Sequence, residues 1–287
     1  MRDKASVFTH NYFQQCYYKN NLGQLSYLDS YQQKKETIIF LHGFTNNSHS
    51  FLGLPETIIN QYRCLIPDLP GHGKTHLLQG ANTFNTDAQV ALLKEWLCSL
   101  KVNKFHLLGY SMGGRLALQF ALKNLAQIQS LILVSTTAGI QDEIFRLERR
   151  QADDKLATKI LSSEPIDFLK FWLSQPLFQG ISEQGEDFIA EEIKKRLPLQ
   201  KSGLVCSLKY FSSGIMPSVW DQLAKLKMPC LIIAGSRDTK YSKIAWELVN
   251  SIPNTKINLL QTTHTPLIES PLLFWKSVIK FLQEEFE

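Results

Sequence analysis

Phe105-His106-Leu107-Leu108-Gly109-Tyr110-Ser111-Met112-Gly113-Gly114-Arg115-Leu116-Ala117-Leu118-Gln119-Phe120-Ala121 runs from a short apolar segment, through glycines, into a helical pattern. A serine therefore sits at a strand-to-helix junction, the arrangement of a nucleophile elbow. The glycines fit that geometry, because a strained, tight turn lets strand and helix approach only where neighbours lack a Cβ.

Working outward, short apolar runs predict strands at Phe13–Tyr18, Gln24–Leu28, Thr37–Leu41, Arg63–Ile66, Phe105–Leu108, Ser130–Val134, Pro229–Ala234 and Lys256–Leu260. The later runs are continuously apolar, as a sheet covered by helices on both faces requires. Helical patterns at Phe84–Leu100, Met112–Asn124, Ile244–Ser251 and Pro271–Phe286 alternate with them. The alternation implies an α/β fold with a mostly parallel, eight-stranded sheet wound by right-handed crossovers. The stretch from Ser135 to Met228 is far longer than a parallel crossover needs. It carries helical patterns at Gln141–Ser162, Ile166–Leu173, Glu183–Leu197 and Leu204–Ser212. The expected division is a core of residues 1–135 and 229–287 with a helical cap at 136–228 over the carboxyl edge of the sheet, where α/β sites form.

A serine hydroxyl needs an imidazole base, oriented by a carboxylate, to act at neutral pH. Asp238 follows the apolar run Leu231-Ile232-Ile233-Ala234, and His264 follows Leu259-Leu260. The order Ser111, Asp238, His264 is the one this kind of elbow uses. Backbone N–H groups of Met112, after the serine, and of Phe44, after the Thr37–Leu41 strand, are the expected oxyanion hole. His42 is expected to bond the turn. His72 and His76 have ligand spacing but no carboxylate or thiol company, so no metal site is expected.

With 44% hydrophobic and 20% charged residues, the 287-residue chain has the balance of a soluble globular protein. Its net charge of +5 is spread along the sequence with no aromatic-interleaved basic stripe, which gives nucleic-acid binding no support. Five dispersed cysteines without a C-x-x-C pair are expected to be free thiols in a reducing compartment. Met1–Phe8 lacks the apolar core of a signal peptide and no run is long enough to span a bilayer, so a cytoplasmic protein with no membrane insertion is expected. The sequence leaves open a monomer or a small homo-oligomer.

Leu41-His42-Gly43-Phe44, Asp68-Leu69-Pro70-Gly71-His72-Gly73, the elbow, Gly235-Ser236-Arg237-Asp238 and His264 together resemble the α/β-hydrolase superfamily. Thr263 departs from it, since many members have glycine before the histidine. One triad serves many reactions, so substrate-facing residues must decide among them. Arg115 stands one helical turn beyond Ser111, and Arg146, Arg149, Arg150, Arg196 and Trp172 lie in the expected cap. Several arginines beside an indole suit a polycarboxylate, because guanidinium pairs with carboxylates.

Gly109–Leu118, Arg146–Asp153, Phe171–Phe178 and Tyr210–Trp220 are similar to segments of the menaquinone-pathway lyase family, the 2-succinyl-6-hydroxy-2,4-cyclohexadiene-1-carboxylate synthases. The resemblance implies pyruvate elimination from a carboxylated cyclohexene, with Ser111 as a base activated by His264 and Asp238. It implies carboxylate binding by Arg115, Arg149 and Arg196, a pocket shaped by Tyr110 and Trp172, and no metal or organic cofactor. Arg146 and Arg150, within a turn of Arg149, remain alternatives to it. A serine hydrolase of esters or of C–C bonds in diketone ring-cleavage products is the other reading, and a non-catalytic binding protein of the same fold a third.

Overall fold

A computed structural model describes residues 12–32, 35–78 and 80–286 of the chain. The Met1–Phe8 segment lies outside the described residues. Among the described residues nine strands form one sheet: β1 (Gln14–Asn20), β2 (Gly23–Asp29), β3 (Thr37–Leu41), β4 (Arg63–Pro67), β5 (His76–Leu77), β6 (Phe105–Tyr110), β7 (Ile128–Val134), β8 (Cys230–Gly235) and β9 (Thr255–Leu260). Their order is β1-β2-β4-β3-β6-β7-β8-β9, with β5 paired to β2. From β4 to β9 every neighbouring pair is parallel, whereas β1, β2 and β5 add antiparallel pairings.

Side-chain alternation explains why the inner strands look continuously apolar. Ile39, Leu41, Leu107, Leu131, Leu133 and Ile232 enter the layer beneath the helices Thr86–Ser99, Met112–Lys123 and Thr239–Ser251. Ile38, Phe40, Leu108, Ile132, Val134 and Ile233 enter the opposite layer, with Phe274 and Phe281 of the helix Pro271–Phe286. Both faces are thus buried, and the inner strands are apolar at most positions, with the buried His106 and Ser130 hydrogen-bonded to each other at 2.8 Å.

Between β7 and β8 the chain forms the helices Glu143–Ser162, Pro165–Leu173, Gln179–Ser182, Glu186–Arg196 and Lys201–Phe211. They carry their own apolar cluster, including Ile160, Phe168, Leu169, Ile193 and Leu204.

Three local expectations differ from the structure. The two-residue β5 makes the sheet nine-stranded instead of eight. The Phe84–Leu100 helix is divided, because Asn85 is extended and its side chain accepts the Ala88 N–H to start the helix Thr86–Ser99. The Glu183–Leu197 helix begins only at Glu186, since Gly185 adopts φ 97°.

Chain order reverses at β3 and β6, which lie side by side with Leu41 opposite Gly109. The turn after β3 and the elbow after β6 therefore emerge together at a topological switch point. Gly235 of β8 pairs with Leu260 of β9, which sets the loops to Asp238 and His264 together beside them.

Candidate active site

Ser111 adopts φ 51° and ψ −107°, a conformation that costs on the order of 1–3 kcal/mol for a residue with a side chain. Its peptide is held on both sides: Ser111 N–H donates to Val134 O at 2.8 Å, and Thr136 Oγ1 donates to Ser111 O at 2.8 Å. The flanking glycines are required by close approach. A Cβ on Gly109 would stand 2.5 Å from Gly113 O, and one on Gly113 would collide with Leu41 O. The elbow helix can therefore rest against the end of β3 only without those atoms.

His264 Nε2 lies 3.0 Å from Ser111 Oγ, and His264 Nδ1 lies 2.9 Å from Asp238 Oδ2. Asp238 Oδ1 accepts the Tyr241 N–H at 3.0 Å, so the carboxylate also caps the helix Thr239–Ser251. Burial pushes the Asp238 carboxyl upward, but the His264 hydrogen bond and the Tyr241 N–H outweigh it and hold it below the usual carboxylate range. The carboxylate stays charged and directs Nδ1–H toward itself, which leaves Nε2 as the base facing Ser111.

Phe44 and Met112 line the same cavity as Ser111 and His264, from the turn after β3 and the first residue of the elbow helix. His42 supports that turn: Nδ1–H donates to Gly43 O at 2.8 Å, and Nε2 accepts the Leu69 N–H at 2.9 Å. Burial drives its pKa to about 4, so it is a neutral structural group. His72 is buried, and burial drives it to about 3, while His76 is exposed on β5. Among the described residues no group of His, Cys, Asp and Glu side chains could hold a metal ion.

The cavity between the sheet and the helical insertion also takes in Tyr110, Arg115, Arg149 and Trp172. Tyr110 is 2% exposed, and its ring packs where a Cβ on Gly43 would fall. Trp172 packs edge-on to Phe44 at 5.6 Å and lies 5.2 Å from Phe178. Arg149 Nε donates to both oxygens of Asp153 at 2.9 Å. Arg115 differs: its Nη1 lies 4.0 Å from Met216 Sδ and its guanidinium 5.4 Å from the Phe211 centroid. No carboxylate pairs with Arg115 among the described residues. Burial, helped by the Arg149 charge, pushes its pKa down to about 10, so it remains a cation at neutral pH.

Arg146 is spent on the carbonyls of Ile140, Ile215 and Met216, and Arg150 lies 3.9 Å from Glu143. Of the three neighbouring arginines, only Arg149 lines the cavity. Arg196 does not line this cavity directly, although its charge acts on Tyr110, which does. Arg196 is buried in an ion pair with Glu192 at 2.6 Å and lines a separate cleft with Ile268 and Trp275. Residues not anticipated from sequence also face the cavity: Tyr241, Phe178, Ser207, Ser212 and Ser213. Tyr241, whose ring centroid is 4.4 Å from that of His264, had a signal: three residues after a helix-capping Asp238 is the first turn of that helix.

A Ser-His-Asp triad at an elbow, in a cavity that Phe44 and Met112 also line, has the parts to deprotonate a bound molecule. Residues 36–271 match the alpha/beta hydrolase fold family, and the chain belongs to it. Within it, a Bacillus subtilis protein named as a candidate 2-succinyl-6-hydroxy-2,4-cyclohexadiene-1-carboxylate synthase is 36% identical over 248 residues, 86% of this chain and 90% of that protein. A Salmonella typhimurium synthase of the same name is 29% identical over 217 residues, 74% of this chain and 81% of that protein. The structure of MenH from S. aureus superposes with a TM-score of 0.83 at 33% identity, covering 95% of this chain and 99% of that one. The chain is a member of this synthase family.

Proposed function

We propose that the chain is a lyase that eliminates pyruvate from 2-succinyl-5-enolpyruvyl-6-hydroxy-3-cyclohexene-1-carboxylate to give 2-succinyl-6-hydroxy-2,4-cyclohexadiene-1-carboxylate, in menaquinone or phylloquinone biosynthesis. The observation that carries the substrate class is Arg115: a cation enclosed one turn from Ser111, without a carboxylate of its own, facing a cavity that also holds Arg149. A buried charge is costly unless paired, so the missing partner belongs to the ligand.

The bond changes follow from substrate and product. Ser111 Oγ, its proton taken by His264 Nε2, removes the proton from the ring carbon that carries the succinyl group. The electron pair forms a new ring double bond, the existing one moves over by one carbon, and the C–O bond to enolpyruvate breaks. Enolpyruvate takes up a proton and becomes pyruvate. Charge develops on the succinyl carbonyl oxygen, where Phe44 and Met112 N–H groups supply the stabilisation. The N-terminus of the elbow helix, which begins at Met112, adds to it. Arg115 and Arg149 hold substrate carboxylates, while Tyr110 and Trp172 flank the ring.

In this reading residues 1–135 and 229–287 are the catalytic core and 136–228 the cap. The cavity is about 90 Å³. Among the described residues no helix is long and apolar enough to cross a membrane. The same reading takes the enzyme to be cytoplasmic and its five cysteines to be functional only as packing or surface thiols.

Intact-protein mass spectrometry during turnover tests the role of the serine. The proposal expects the unmodified mass throughout, and a substrate-derived adduct on Ser111 would refute it.

A further inference from the structure

Thr263 and Thr265 bracket His264, and both are bound to one carboxylate. Glu269 Oε1 accepts the hydroxyl protons of Thr263 at 2.6 Å and Thr265 at 2.7 Å, and the Thr265 N–H at 3.1 Å. Its Oε2 accepts the Thr263 N–H at 2.7 Å. Four donors from the residues on either side of the imidazole thus converge on Glu269. The carboxylate is fixed in turn, because the short helix Pro266–Glu269 returns the Glu269 N–H to Thr265 O at 2.9 Å.

The cap reaches the same carboxylate. Gly180 N–H donates to Thr263 Oγ1 at 3.3 Å, so this hydroxyl donates to Glu269 and accepts from the cap. A Cβ on Gly180 would collide with Glu269, whose atoms are the three nearest to it. Thr263 also packs through its carbonyl against Gly235, where the loop to Asp238 begins. The threonine that replaces the usual glycine before the histidine therefore has a use that glycine lacks: its hydroxyl links the imidazole loop to the cap.

We propose that Glu269 is a positioning residue that holds the His264 loop in register with Ser111 and ties that register to the seating of the cap at Gly180. It touches no reacting atom and acts through Thr263 and Thr265. Displacing a catalytic group by about 1 Å costs on the order of a hundredfold in rate, so a clasp that fixes the loop at four points has leverage on catalysis. The inference rests on the triad and not on which bond of the substrate breaks.

The test is the second-order rate at which a fluorophosphonate inactivates Ser111, read beside kcat and KM for pyruvate release. Glu269→Gln keeps the shape and removes the charge and two acceptor sites. It is expected to slow inactivation and lower kcat by about tenfold or more, with KM within about twofold. Thr263→Val, which keeps the volume and the carboxylate, is expected to give a smaller loss in the same direction. The double variant should lose less than the product of the two, because both act through one clasp. Gly180→Ala should reproduce the defect from the cap side, yet add nothing in a Glu269→Ala background, where the collision is gone. Inactivation of folded Glu269→Gln within about twofold of the wild-type rate, or losses that multiply, would overturn the proposal. A defect confined to KM would do so too. Because fluorophosphonate needs no natural substrate, failure of the lyase reading would leave these rates interpretable. A wild-type serine that does not react would bring down the triad and this proposal together.

Discussion

His264 donates Nδ1–H to Asp238 Oδ2 across 2.9 Å, and this bond selects which imidazole nitrogen confronts the serine. Asp238 does two jobs at once, since its other oxygen caps the helix that follows. Asp238→Asn would keep the cap and reverse the tautomer. In serine triads that change costs about ten thousandfold in kcat. We expect a loss of that order here, measured as initial rate of pyruvate release, with the fold retained by circular dichroism.

The Asp238 carboxyl is held below its ordinary value, which fixes the sign of its pH effect. A carboxyl whose folded pKa is depressed stabilises the fold above its unfolded pKa and loses that contribution as pH falls through the folded one. Urea unfolding of wild type and Asp238→Asn should therefore show a difference that is constant near neutrality. That difference should shrink only as the pH falls below the ordinary aspartate value of 3.8.

Arg115 gives the clearest separation of stability from function. Among the described residues no carboxylate pairs with its guanidinium, a net cost to the fold, while Phe211 and Met216 offer apolar packing. Arg115→Met should melt at or above the wild-type temperature. It should also lose at least about thirtyfold in kcat/KM, since an unpaired substrate carboxylate costs roughly 2–5 kcal/mol. A drop in melting temperature without loss of activity would assign Arg115 to the fold.

Arg196 should behave in the opposite way. Buried with Glu192 at 2.6 Å, it leaves a partly compensated carboxylate behind when removed, because Lys195 also reaches Glu192 at 2.6 Å. Arg196→Met is expected to lower the thermal midpoint and leave KM for the intermediate within about threefold, given that breaking a buried pair costs about 3–5 kcal/mol at most. A large rise in KM with unchanged stability would return Arg196 to the substrate.

The elbow, the order of the triad and the inner strands were legible because each has a strong local cause. Gly109 and Gly113 mark unavoidable close approaches, and the inner strands are apolar at most positions because both faces are covered. β5 was not legible, since two residues carry no period, and Asn85 was hidden inside an apolar pattern that continues on both sides of it. Arg149 and Arg196 show a different limit. Both have a carboxylate partner one turn away, Asp153 and Glu192, a spacing visible in the sequence. Which of the two guanidiniums also faces the cavity depends on how the insertion folds over the sheet, and nothing local to either residue encodes that. The role of Thr263 was equally hidden, because Glu269 and Gly180 meet it only in the folded chain.

Ser111→Ala should abolish pyruvate release while leaving the fold intact, as judged by circular dichroism. The most direct test of the central claim is made on the wild type. Purified enzyme is given the authentic succinyl-enolpyruvyl intermediate, and pyruvate is counted against the cyclohexadiene product. A parallel sample receives simple aryl esters. A proton-abstracting serine predicts pyruvate and product in equal amounts, with ester hydrolysis slow by comparison. Rapid ester hydrolysis without pyruvate from the intermediate would contradict the account.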